Sequence, residues 1–191
     1  FPRDEKSRDL YIEYTLSRLG SYSNLLFMVG GPEPLLKNHP YLSTEEIDQI
    51  ARKIKSEDVH GHLLSVHNYT GDDRFMDYPW QDYGILQGPK TTDRQKLSET
   101  ILRNHHPGRP MYLQETLWPG NKYHPDYALG EVRKNALVML LTGGTNNFGD
   151  MAGKSSSGFS GTIDLSEKVQ ERHDAIHAVW DLIETLPYYE M

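Results

Sequence analysis

The 191 residues allow one domain, 1–191, at about 150 residues per domain, yet fall short of the roughly 250 of a complete eight-fold β/α barrel. Twenty Lys and Arg against 27 Asp and Glu give a formal charge of −7, a balance that repels phosphate backbones and sets nucleic acid aside as a partner. The chain holds no Cys, which excludes disulfides and thiolate chemistry, and its longest apolar runs fall far below the ~20 residues of a membrane span.

The chain opens Phe1-Pro2-Arg3 without an initiator Met, as a processed, trimmed or incomplete chain would. From Asp4 to Leu19, Ile12, Leu16 and Leu19 are spaced for one helical face, and Gly20 stops the helix. Leu25 to Val29 is wholly apolar and runs into Gly30-Gly31-Pro32, the pattern of a strand buried on both faces. Ser43 and Glu46 form a capping box for a helix with Ile47, Ile50, Ala51 and Ile54 inward. His62 to His67 predicts a second strand, and the turn-rich stretch from Asn68 to Gln81 a long loop. Tyr83 to Gln87 predicts a third strand, and Thr92 with Gln95 caps a helix carrying Leu97, Ile101 and Leu102. Met111 to Gln114 is a fourth strand delivering Glu115, followed by an apolar helix from Asp126 to Leu141. Gly143 to Phe148 is a short fifth strand. Beyond a Ser/Gly-rich loop from Lys154 to Gly161, a last helix runs from about Ser166 to Leu186, with Val169, Ile176, Val179, Trp180 and Ile183 inward. Strand and helix alternate, which predicts an α/β fold with a parallel sheet covered by helices.

In such folds ligands meet the carboxyl ends of the strands. Glu33 follows the first strand, His67 and Asn68 the second, and Gln87 the third. Glu115 and then Trp118 follow the fourth, and the fifth carries Asn146 and Asn147. Carboxylates for acid, base or nucleophile, amides for hydroxyls and a ring for stacking suit a sugar.

Several stretches resemble a known family. Arg8 to Tyr11 and Leu19 to Gly31 are similar to the third helix and fourth strand of clan A glycoside hydrolases, and more narrowly to the apiosidase-like group. His62 to Asn68 resembles the fifth strand with its terminal His-Asn, Arg109 to Glu115 the seventh, and Leu141 to Thr145 the eighth. The resemblance implies the C-terminal portion, strands four to eight, of a (β/α)8 TIM-type barrel. It also implies a retaining glycosidase acting on a plant or microbial polysaccharide, with Glu115 as nucleophile and Glu33 as acid/base, and a secreted or periplasmic setting. No cofactor or membrane partner is implied. Two departures stand out. Pro32 occupies the family's acid position, so Glu33 comes one residue later and either reaches the site through an altered turn or points away. Strands one to three have no counterpart, so a second chain or a missing segment is expected to complete the barrel.

Each site residue also has an ordinary explanation. Glu115 serves as nucleophile or pairs with Arg109 or a helix N-terminus; Glu33 serves as acid/base or is a solvated loop residue. His67 and Asn68 bind sugar hydroxyls or satisfy the backbone. Trp118 is read as a sugar platform because Pro119-Gly120-Asn121 sets it on a loop. Trp80 is a second platform or a pin for the long loop, and Trp180 is core. Of the nine His, the pairs His60/His62 and His105/His106 lack zinc spacing and a nearby third ligand, so no metal is expected and these pairs are read as solvated. Rival functions are a non-catalytic sugar-binding barrel and a structural fragment that needs its N-terminal half.

Overall fold

A computed structural model of the chain describes residues 2–68, 72, 74–87, 91–118, 125–147 and 167–187. The sequence readings at Asn121, Phe148, the Lys154–Gly161 loop and Ser166, and that of the Val169 side chain, lie outside the described residues. The chain divides into two compact units, residues 1–86 with 106–110 and residues 87–105 with 111–191.

In the first unit, α1 (Glu5–Leu19) begins where Asp4 accepts the Ser7 amide, and α2 (Thr44–Glu57) begins at a complete capping box between Ser43 and Glu46. Both caps satisfy amides that a helix leaves without partners. Ser43→Ala should cost about 1 kcal/mol, read as a lower urea midpoint at unchanged denaturant slope; an unmoved midpoint would show that the cap contributes nothing. The strands β1 (Leu26–Pro32) and β2 (Leu63–His67) pair in parallel, Leu26 opposite Leu63 through Val29 opposite Val66. Val29, Leu64 and Val66 meet Ile12, Ile47, Ile50 and Ala51 of the helices in one apolar core. Leu19, expected inward, is exposed at the end of α1.

The long segment after β2 does not lie open. Phe75 and Trp80 are buried with the same core, and Phe75, Tyr78 and Trp80 pack ring against ring. The strand β3 (Gly84–Gln87) follows, and Leu86 bridges in parallel to Asn68.

His62 departs from the solvated histidine read from sequence. It is buried, its Nδ1 2.9 Å from Asp58 and its Nε2 3.0 Å from the Tyr22 carbonyl. Two acceptors facing both ring nitrogens favour the imidazolium, so the Asp58 carboxylate and then the Tyr22 carbonyl hold His62 above its ordinary 6.5. Burial pushes the Asp58 carboxyl up, but hydrogen bonds from the His62 ring and from the His62 and His60 amides outweigh it and hold it below 3.8. The histidine's contribution to stability is therefore complete below pH 6.5 and is lost as the pH rises through its raised folded value. The aspartate's contribution is lost as the pH falls through its lowered value. Thermal melts of wild type and His62→Gln should lie furthest apart near pH 6 and draw together on the alkaline side; a gap independent of pH would refute the charged pair.

In the second unit, α3 (Arg94–Asn104) is capped by Asp93, which accepts the Lys96 amide. Thr92, expected as the cap, stands one residue too early, while Thr91 accepts the Asp93 amide and fixes the approach. Leu97 and Ile101 are buried, but Leu102 is exposed. The strands β4 (Met111–Gln114) and β5 (Gly144–Asn146) pair in parallel, Met111 opposite Gly144 through Leu113 opposite Asn146. Between them runs α4 (Leu129–Leu141), which starts later than Asp126 and has no side-chain cap. It packs on β5, α3 and the final helix α5 (Glu167–Glu184). Ile176, Val179 and Ile183 of α5 are buried, whereas Trp180, expected as core, is only partly so.

The described residues thus form a mixed α/β structure with parallel strands, consistent with part of a β/α barrel; they contain five strands and no complete barrel. Among them no helix is long and apolar enough to cross a membrane.

Candidate functional site

The sequence candidates fall into two groups, one in each unit. Glu33, His67, Asn68 and Trp80 belong to the first; Gln87, Glu115, Trp118 and Asn146 belong to the second.

In the first group, β1 ends in a bulge. Val29 lies opposite Val66 and Pro32 opposite His67, so three steps along β1 match one along β2. Gly30 and Gly31 absorb the excess at φ of 77° and 91°, values that disfavour any residue with a Cβ. Glu33 then takes a left-handed φ of 49° and its amide donates to the His67 carbonyl at 2.7 Å. The Tyr41 hydroxyl donates to the Gly30 carbonyl at 2.9 Å, and its pKa is pushed up by burial and then by the Glu33 carboxylate. His67 and Asn68 are both buried, and the Asn68 amide donates at 3.4 Å to the Asp72 carbonyl. Trp80 is sealed, with 3% exposure and an indole N–H donating to Asp48 at 2.8 Å. Such contacts pin the loop and leave no ring face for a sugar.

In the second group, the side-chain faces of β4 and β5 can be assigned. A Cβ on Gly144 would come 2.9 Å from Leu113 Cδ1 and 3.4 Å from the Met139 carbonyl of α4. Asn146 donates its amide to the Ala136 carbonyl of α4 at 3.4 Å. Met111, Leu113, Gly144 and Asn146 therefore face the helix, and Tyr112, Gln114, Thr145 and Asn147 face the other way. Asn146, proposed from sequence as a hydroxyl ligand, is turned onto α4.

Glu115 is the informative residue. Strict alternation would point it toward α4 after Met111 and Leu113. Instead its φ is 57°, and the pleat is broken at this residue. A left-handed conformation costs a residue with a side chain roughly 1–2 kcal/mol, and such strain persists where the surroundings impose it. Those surroundings are visible. The Trp118 indole N–H donates to the Glu115 carbonyl at 2.7 Å. The Thr116 hydroxyl donates to the Asn147 carbonyl, and the Asn147 amide extends the β4–β5 ladder onto the Leu113 carbonyl at 3.2 Å. Leu117, also left-handed at 56°, has its carbonyl held by Arg172 of α5. Within this frame the Gln87 amide donates to the Glu115 carboxylate at 3.4 Å.

Trp118, read as a platform, is 3% exposed and works as a fastener of the turn. Gln114 was not singled out by sequence, since a lone Gln in an apolar strand carries no motif; only its face, fixed by the register with β5, brings it forward. Among the described residues no three His, Asp or Glu side chains gather as metal ligands would.

Taken as a backbone, the chain is of a kind already seen in a larger protein. It is similar to the crystal structure of a "putative glycoside hydrolase" from Bacteroides vulgatus, with a TM-score of 0.74 at 16% identity, over 96% of this chain. The chain spans about a third of that protein's length, 35%. At this identity the likeness shows the fold. No family model and no curated protein matches the chain.

Proposed function

We propose that the chain is a portion of a glycoside hydrolase, the fourth to eighth strands of a (β/α)8 barrel related to clan A and the apiosidase-like group, acting by a retaining two-carboxylate mechanism. The observation that carries this is Glu115, a carboxylate set at the C-terminal end of a parallel strand in a conformation that opposes its own backbone preference and bonded by the Gln87 amide. Strain maintained at a strand end is characteristic of working sites. The fold likeness to a protein named as a glycoside hydrolase adds weak support.

Glu115 attacks the anomeric carbon while Glu33 gives its proton to the departing oxygen; Glu33 then takes a proton from the water that releases the sugar. Such a mechanism requires carboxyl groups about 5–5.5 Å apart. His67, Asn68 and Gln87 hold sugar hydroxyls, and a further segment or second chain supplies the remaining strands. A second reading, sugar binding without cleavage, is favoured by one observation: Glu33 stands one residue beyond the family's acid position, in a left-handed turn at φ 49° whose amide is bonded to the His67 carbonyl.

The chain together with the segment or second chain that supplies the remaining strands should release reducing sugar from a panel of plant and microbial polysaccharides and aryl glycosides. The first-formed anomer, followed by proton NMR, should keep the substrate's configuration. Inversion would remove the retaining mechanism; binding with no release from any substrate would favour the non-catalytic reading.

A further inference from the structure

Four amide side chains of the second unit carry a buried carbonyl oxygen that meets no donor among the described residues: Gln114, Asn135, Asn146 and Asn147. They sort by face. Asn135 is fully enclosed and Asn146 is turned onto α4. Gln114 and Asn147 are half-buried residues on the opposite face of the β4–β5 pair, each one step beyond the last matched residue of its strand, Leu113 and Asn146 respectively, with the Asn147 amide still bonded to the Leu113 carbonyl. Gln114 immediately precedes Glu115, and Asn147 accepts the Thr116 hydroxyl through its backbone carbonyl. A buried acceptor without a donor costs about 1–3 kcal/mol; both oxygens are covered while their side chains are only half-buried, so a ligand that brings its own hydrogens meets them once these side chains turn outward.

We infer that the Gln114 and Asn147 side-chain carbonyls are paired acceptors for two hydroxyl donors of one sugar ring and determine which sugar sits against Glu115. This deepens the assignment of Glu115 and rests on it. Two such acceptors match neighbouring ring hydroxyls and reject a ring in which one is missing, since the site oxygen then stays unpaired.

The test is saturation-transfer NMR and calorimetry on the full chain with glucose, xylose, arabinose and rhamnose and their monodeoxy counterparts. Gln114→Met and Asn147→Leu keep shape but remove the acceptor, and each should weaken binding of the preferred sugar roughly 5- to 10-fold. Removing the matching hydroxyl from the sugar should cost wild type the same factor and cost the variant little. Asn147→Asp restores an acceptor and should restore most of the affinity. Variants that melt higher and bind as wild type would overturn the inference, as would a wild type that binds none of the sugars. Failure of the glycosidase assignment is read separately: hydrolysis that survives Glu115→Gln removes the nucleophile, while the binding series still decides the amide pair.

Discussion

Glu115→Gln should lower hydrolysis by about 10³-fold or more while leaving sugar affinity within a few fold. The amide has nearly the shape of the carboxylate but cannot form the glycosyl bond, so the loss should fall on kcat. Initial rates on the best substrate, with binding measured calorimetrically, separate the two quantities; full turnover in the variant would remove Glu115 from the chemistry. A companion pair isolates the backbone. Glu115→Ala and Glu115→Gly delete the same carboxylate, but glycine accepts the φ of 57° without strain. The glycine variant should therefore be the more stable by about 1 kcal/mol. Equal stability would mean that the turn relaxes once the carboxylate is gone, and the strain would then belong to the side chain's contacts.

Arg172→Met should destabilise the protein by about 3 kcal/mol, measured by chemical denaturation. Arg172 is 3% exposed. One arm of its guanidinium donates to the Tyr127 carbonyl at 2.5 Å and the other to the Leu117 carbonyl. Methionine fills much of the space but abandons two buried acceptors at about 1–3 kcal/mol each. Tyr127 is itself a junction: its amide donates to the Trp118 carbonyl at 3.0 Å and its hydroxyl to the Thr91 carbonyl, with burial pushing that hydroxyl's pKa up to about 12. The loss should therefore spread to the turn holding Glu115, and activity should fall with stability. Arg172→Lys has one head group where the fork had two arms and should recover only part of the loss. A Met variant within 1 kcal/mol of wild type would show that both carbonyls find other donors.

The elements were legible because strand and helix periods differ and because the caps are written in residue types. Ser43 with Glu46 announced α2, and Leu25 to Val29 announced β1. Boundaries were less legible. Asp93 takes the cap from Thr92, and α4 starts three residues after Asp126 with no side chain to mark it. The site was legible as a set of positions after strands but not as a set of directions. Asn146 and Gln114 are separated by which face the pairing gives them, and pairing register is a long-range property. Trp118 was misplaced by a local rule, that a ring among turn residues is exposed, and Trp80 was left open between platform and pin. A distant partner, Asp48, makes Trp80 the pin, and a near one, the Glu115 carbonyl, turns Trp118 inward. Leu117 and Arg172 gave no local signal, since a left-handed leucine and a buried arginine are made by tertiary context.

The two-residue excursion at Gly30 and Gly31 acts as a spacer. Cutting both residues out would let the two strands march in step to their ends, and Glu33 would lose its seat beside the last carbonyl of the neighbouring strand. Its length, and not the identity of the acid alone, therefore sets how far that carboxylate projects. Proteins built on the same plan could retune this reach by adding or dropping a glycine, without touching the acid itself.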